Sequence, residues 1–158
     1  MIHRILAVLI LTLAAAFAPA GAQGDERLAG EMRQIADATS GVTIAEGAAA
    51  DKVVYFRRRG DGELIITGIA ALAPGASLDE VPSGAIAVLR TRASTANGNV
   101  APAPGDFELA RRSGVPVFIV GEWRTPPVVW EVRSGGETVS WREIGADGAP
   151  GAWNASPR

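Results

Sequence analysis

The stretch that decides the predicted fold is AIAVLRTRASTANGNVAPAPGDFELARRSGVPVFIVGEWRTPPVVWEV, residues 85–132. Its first eight residues predict a strand, and residues 93–105 are rich in Ala, Pro, Gly and Asn and predict a loop. Asp106 is the predicted N-cap of a short helix over residues 107–113, which ends at a glycine. Residues 117–120 are fully apolar, which is typical of a strand buried on both faces. The stretch therefore predicts two strands that are connected through a helix.

Helix and strand patterns continue on both sides of this stretch. Apolar residues at helical spacing predict an N-terminal helix over residues 25–38. Two strand-like runs, residues 52–58 and 63–69, meet at a Gly-Asp-Gly turn, and a last hairpin is predicted over residues 128–133 and 138–144. We therefore expect an α+β (mixed α/β) domain, in which a central mixed β-sheet is flanked by the N-terminal helix and the short second helix.

Residues 1–22 have the pattern of an export signal. A short positive start is followed by an apolar run, residues 5–17, and by small residues that offer a cleavage site after Ala22. The apolar run is shorter than the about 20 residues that cross a bilayer. We expect a periplasmic or secreted protein without a membrane span after cleavage. It would comprise one globular domain over residues 23–144 and a flexible tail over residues 145–158.

The composition excludes several kinds of site from this domain. The chain has no cysteine, and its one histidine, His3, lies in the predicted signal. Disulfides, thiol nucleophiles, Ser-His-Asp triads and imidazole or thiolate metal sites are therefore excluded. The net charge of −2 gives no basis for nucleic-acid binding. We expect no cofactor and no bound metal.

The element order and the motif spacing resemble the JAB/JAMM metallopeptidase-like fold, also called MPN. Members of that family carry a strand that ends in His-x-His, then a loop, then Ser-x-x-Asp at the start of a helix. The two His and the Asp bind zinc, and an upstream Glu acts on the metal-bound water. Here the matching strand ends Arg90-Thr91-Arg92, the Ser position is Ala103, and Asp106 is kept. Glu46 is the candidate for the upstream Glu. The resemblance implies a bacterial relative with a degenerate metal motif.

Arginine stays protonated and has no lone pair to offer a cation. The resemblance therefore implies a pseudoenzyme without zinc or peptidase activity. Two interpretations of Arg90 and Arg92 stay open. In the first, they form a salt bridge with Asp106 or Glu108 that plugs the vacant metal site. In the second, they leave a positive cleft that binds an anion or a peptide carboxylate.

Tryptophan residues add a candidate recognition loop. Trp123 and Arg124 follow the buried strand, where ligands tend to bind in open sheets. Trp130 and Trp141 lie on the last hairpin and are predicted to pair or to fill the core. Our first functional hypothesis is an exported binding module that recognises a protein or peptide through the Arg-containing cleft. The alternative is a metal-independent hydrolase with carboxylate-based chemistry.

Overall fold

The computed structural model describes residues 20–45, 51–72, 78, 80–92, 101–121, 127–135 and 138–155. In its first helix, side chains are described for residues 26–38. Two helices and seven strands occupy the described residues. They are α1 (Ala20–Ala45), β1 (Asp51–Arg58), β2 (Leu64–Leu72), β3 (Ala87–Arg92), α2 (Pro104–Ser113), β4 (Val117–Gly121), β5 (Val128–Gly135), β6 (Thr138–Ile144) and β7 (Asn154–Ala155).

All seven strands belong to one mixed sheet with the order β2-β1-β3-β4-β5-β6-β7. The parallel pair is β3–β4, which α2 connects, and the other neighbouring strands are antiparallel. The β1–β2 and β5–β6 hairpins lie where the sequence predicts them. Strand β4 is buried at each of its five positions, which confirms the prediction for residues 117–120.

The expected α+β, JAB/JAMM-like fold class is wrong, because the structure is a sheet-rich fold. The sequence patterns predicted six strands in a central mixed sheet, but they gave no strand order and did not predict β7, the seventh strand. Strand pairing depends on hydrogen bonds between residues far apart in the chain, which local periodicity does not report. The two helices are additions to the faces of this sheet, not half of a balanced α+β architecture.

The tail beyond Ile144 supplies the last strand. A turn is closed by the Gly145 N–H, which donates to the carbonyl oxygen of Ala149 at 2.8 Å. The chain then returns along β6, where Asn154 pairs with Trp141. The Trp153 ring lies over the Arg142 guanidinium, 4.2 Å from ring centroid to Cζ. The tail is thus attached to β6 by strand pairing and by a cation–π contact.

Helix α1 covers one face of the sheet, which we call the α1 face. Its apolar residues Leu28, Ala29, Met32 and Ala36 are buried there. They pack on side chains from five strands, namely Phe56, Ala87, Leu89, Phe118, Val120, Val129 and Ile144. The apolar residues whose spacing predicted the helix are therefore the residues that contact the sheet.

Helix α2 covers the opposite face, which we call the α2 face. Leu109 and Ala110 pack there on alternate residues of the same strands, including Val53, Tyr55, Val88, Val117, Ile119, Val132 and Val139. Trp130 and Trp141 also pack against this cluster. Their ring centroids are 5.3 Å apart with an angle of 72° between the planes, which confirms the predicted tryptophan pair.

Two charged contacts hold α1 against the sheet. The Arg33 guanidinium is buried and donates to the carbonyl oxygen of Pro127 at 2.8 Å and to Asp37 at 2.8 Å. Nearer the start of the helix, Glu31 accepts from Arg58 of β1 at 2.7 Å. Arg33 thus ties α1 to the chain just before β5, and Glu31 ties it to the β1–β2 hairpin.

The predicted signal lies mostly outside the described residues, and its cleavage stays a prediction. Among the α1 side chains that the structure describes, residues 26–38, the first buried one is Leu28, which lies after the predicted cleavage point at Ala22. Cleavage at that point would therefore keep every α1 residue that is described as buried. Among the described helices, none combines the length and the hydropathy that crossing a membrane requires.

Replacing Glu31 by glutamine is expected to destabilise the fold in a pH-dependent way. Partial burial raises the pKa of Glu31, but hydrogen bonds and charge from Arg58 and Arg27 outweigh it, so the pKa is lowered. A lowered pKa in the folded state stabilises the protein above the unfolded pKa, and this stabilisation is lost as the pH falls through the folded value. We expect Glu31→Gln to cost about 0.5–1 kcal/mol at neutral pH, because the pair is partly solvated.

Urea unfolding of the parent and of Glu31→Gln at pH 7 and at acidic pH measures this difference. The two free energies of unfolding should converge as the pH falls from roughly 5 toward 3. A difference that stays constant over this range would show that the carboxylate charge is not the cause.

Candidate functional site

Arg90 lies between two carboxylates on the α2 face. It belongs to β3, and 5% of its surface is exposed. Its Nη2 donates to Oδ2 of Asp51 at 3.0 Å, and its Nη1 donates to Oδ1 of Asp106 at 3.3 Å. The antiparallel pairing of Lys52 with Thr91 brings the start of β1 beside the end of β3. One guanidinium therefore joins β1, β3 and α2.

Asp106 has a second role at the start of α2. Its side chain is fully buried, and its Oδ2 accepts the backbone N–H of Ala103 at 2.7 Å. The prediction that Asp106 is the N-cap is wrong, because α2 already begins at Pro104, and Ala103 is the N-cap. Proline fits the first helical position, since it lacks the N–H that a helix start leaves unpaired. Asp106 is the third helical residue and reaches back to the cap.

The structure brings together two of the predicted site residues, Arg90 and Asp106. The backbone of Arg92 pairs with Gly121 of β4, but its side chain lies outside the described residues. Glu46, Trp123 and Arg124 also lie outside them. Sequence reasoning missed Asp51, the nearer of the two carboxylates that Arg90 is described as contacting. The pairing of β1 with β3 is the signal that would have found it.

The described geometry matches the salt-bridge interpretation of Arg90. Each carboxylate and the guanidinium have an opposite charge in contact, which a buried cluster of charges requires. Glu108, the other predicted partner, instead pairs with Arg111 at the surface. Within the described ranges, no group of three or more His, Cys, Asp or Glu side chains could hold a metal ion. Ligand binding by this cluster stays a prediction.

A second buried ionic cluster lies on the α1 face, and the sequence analysis did not identify it. Glu131 of β5 is fully buried and accepts from Nε of Arg142, directly opposite on β6, at 2.7 Å. Arg133 donates to the other carboxylate oxygen. Because Glu131 lies beside Phe118 in the pairing of β4 with β5, it is on the same face as α1. One carboxylate of β5 thus binds two guanidinium groups, one from β5 itself and one from β6.

A surface cavity of about 350 Å³ lies where the chain before β3 passes the end of α2. Its lining is Glu80, Val81, Pro82, Ser83, Gly84, Ala85, Leu109, Arg112, Ser113 and Val115. Arg112 donates to the carbonyl oxygen of Leu78 at 3.0 Å and so holds the passing chain. The lining includes one carboxylate, Glu80, whereas carboxylate-based hydrolysis uses a pair. The hydrolase alternative therefore gains no support from this cavity and stays a prediction.

Strand β2 forms one edge of the sheet, and among the described residues no strand pairs with its outer side. Its nine residues, LIITGIAAL, include no charged residue and no proline. Ile66 and Ile69 are 55% and 67% exposed. The register shifts in the middle of the strand, where Tyr55 pairs with Gly68 and Phe56 pairs with Ile66, so Thr67 is an extra residue. We call the stretch Leu64–Leu72 with this bulge the β2 edge.

The bulge decides which way the isoleucines point. Ile66 is opposite Phe56, which belongs to the cluster under α1, and Ile69 is opposite Val54, which packs against that cluster. Residues that pair directly across a sheet lie on the same face. Ile66 and Ile69 are therefore both on the α1 face, although residues three apart in a regular strand face opposite ways. They form an exposed apolar pair at the rim of the sheet.

No protein-family model matches this chain, and no curated protein and no solved structure matches it either. The relationship to the JAB/JAMM family therefore stays a prediction.

Proposed function

We propose that this protein is a binding module that takes up an extended segment of another polypeptide along the β2 edge. The observation that carries the proposal is the nine-residue, uncharged edge strand with two exposed isoleucines. The sequence also predicted a binding module, but with the Arg-containing cleft as its binding surface. The proposal places the binding surface at the β2 edge instead. Arg90 is nearly enclosed by its two carboxylates, whereas the β2 edge faces solvent.

A free edge offers unpaired N–H and C=O groups to an incoming strand. Proteins often protect such an edge with charged residues, proline or a bulge, because an open edge pairs with other chains. Strand β2 has a bulge at Thr67 but no charged residue and no proline. Backbone hydrogen bonds supply affinity in strand addition, and alternate side chains supply specificity. Ile66 and Ile69 are placed to contact the side chains of an added strand on the α1 face.

The opposite edge of the sheet is much shorter within the part of the chain that the structure describes. It is formed by β7, which has two residues, and glycine and proline precede it at Pro150 and Gly151. A two-residue strand offers too few backbone groups to hold a partner. The two edges are therefore unequal, and β2 is the edge suited to recognition. If the chain is exported, as residues 1–22 predict, the partner is a periplasmic or secreted polypeptide.

Photo-crosslinking tests this proposal directly. A benzoylphenylalanine at position 69, in place of Ile69, is expected to form a covalent adduct with another polypeptide in the producing cells. The same group at position 143, in place of the exposed Glu143 of β6, is the matched control. Adding Ile66→Lys to the first chain should reduce the adduct, because a lysine interrupts the apolar edge.

Equal adduct yields from positions 69 and 143 would contradict the proposal. An adduct from position 69 that does not respond to Ile66→Lys would also contradict it, because such an adduct would not depend on the β2 edge.

A further inference from the structure

We infer that the polypeptide taken up by the β2 edge is the β2 edge of a second copy of this chain. This inference rests on the proposed function and names its partner. The two β2 strands would run antiparallel about a two-fold axis, and the two sheets would continue into one. Three features of β2 support a self-paired edge: its register, its lack of charge and the position of its isoleucines.

Because of the bulge, there is a register in which two copies of β2 pair and every pair of opposed residues lies on the same face of the joined sheet. With the axis between Thr67 and Gly68, Ile66 lies opposite Ile69 of the second copy. Ile65 then lies opposite Ala70, and Leu64 opposite Ala71. Directly opposed residues must share a face. In an unbulged strand each of these pairs would join opposite faces, so this register would be excluded.

The observed pairing of β2 with β1 shows that the faces match. Leu64 and Ala71 are opposite Arg58 and Lys52, which share the α1 face with Val54 and Phe56. Ile65 and Ala70 are opposite Arg57 and Val53, and Val53 belongs to the cluster on the α2 face. The extra residue Thr67 reverses the alternation at the axis. Residues 64–66 of one copy would thus lie opposite residues 69–71 of the other, and the side chains of each opposed pair would be on the same face of the sheet.

The absence of charge favours a second copy over a different partner. A two-fold axis brings each strand against its own sequence, so charged residues near the axis would meet like charges. Leu64–Leu72 has none. The hairpin charges beside it are paired within their own chain, since Arg59 contacts both Asp61 and Glu63. The overall net charge of −2 adds little repulsion between copies.

Self-pairing would also cover the exposed isoleucines. A two-fold axis perpendicular to the sheet keeps the α1 face of each copy on the same side. Ile66 and Ile69 of both copies would then form one apolar group of four between the two α1 helices. Burial of side chains that are 55% and 67% exposed in the single chain supplies the hydrophobic gain of the dimer.

Sedimentation equilibrium tests the inference. The sample is the purified protein after any processing of its N-terminus by the producing cells. We expect a concentration-dependent dimer. Ile66→Lys/Ile69→Lys places lysine opposite lysine twice in the proposed register and should weaken the dimer by roughly 10-fold or more. Ile66→Lys/Ile69→Glu places lysine opposite glutamate twice and should recover a large part of this loss. Ala152→Lys, at an exposed tail position, is the control and should not change the dimer.

The outcomes separate the inference from the proposed function. If the chain stays monomeric while position 69 still crosslinks to another polypeptide, the partner is not a second copy of this chain. This result would contradict the inference but not the proposed binding function. A dimer that is unchanged in Ile66→Lys/Ile69→Lys would place the interface elsewhere and overturn the inference. Equal dissociation constants for the two double variants would overturn the register. Unfolding curves that match the parent exclude misfolding as the cause of any loss.

Discussion

Replacing Arg90 by methionine is expected to lower the free energy of unfolding by about 3–5 kcal/mol. Methionine keeps most of the side-chain volume but removes the guanidinium that Asp51 and Asp106 share. Asp106 is fully buried, and removing a positive charge from beside a buried carboxylate is costly. Urea unfolding of the parent and of Arg90→Met, followed by circular dichroism, measures the change.

Arg111→Met is the matched control for this prediction. Arg111 also pairs with a carboxylate, Glu108, but both side chains are largely exposed, so we expect a change within about 0.5 kcal/mol. Adding Asp106→Asn to Arg90→Met should restore part of the loss, because asparagine removes the buried charge and can still accept the Ala103 N–H. If Arg90→Met costs no more than Arg111→Met, the salt-bridge interpretation is wrong.

Replacing Glu131 by glutamine is expected to cost about 3 kcal/mol, because two arginines would lose the carboxylate between them. The expected loss is large since Glu131 is fully buried and Arg142 nearly so. Glutamine is nearly isosteric, so the change tests charge and not packing. Urea unfolding measures the loss, and tryptophan fluorescence reports the site because Trp153 lies over Arg142.

The control for Glu131→Gln is Glu108→Gln, which neutralises an exposed carboxylate that also pairs with an arginine. We expect this variant to unfold within about 0.5 kcal/mol of the parent, with unchanged tryptophan emission. Equal effects of the two substitutions would mean that the buried cluster contributes no more than a surface pair.

Local patterns were sufficient for the elements whose burial is uniform or regular. The apolar run at residues 117–120 became β4, and the two runs predicted on either side of Gly135-Gly136 became the last hairpin. The start of α2 was placed too late, because Pro104 and Gly105 were assigned to a loop, whereas proline suits the first turn of a helix. Strand β7 was missed because two residues among glycine and proline have no periodicity.

The charged clusters show why the site could be predicted only in part. Arg90 and Asp106 belong to one contiguous pattern, and the sequence indicated that they meet. Asp51 joins them through the pairing of β1 with β3, which links residues 39 apart. Glu131 lies in a strand and is of a type that is seldom fully buried, so a solvent position was the natural expectation. Its burial depends on Arg142, which only the β5–β6 register places opposite.

The shortness of β7 has a consequence for the size of any assembly. Once two copies pair through β2, both outer rims of the joined sheet are formed by this two-residue strand. Open-ended fibres need a long edge strand that can pair on each side of the subunit, and here the strand on one side has two residues. Within the described residues, such a dimer would therefore expose no second long edge strand for a further association step.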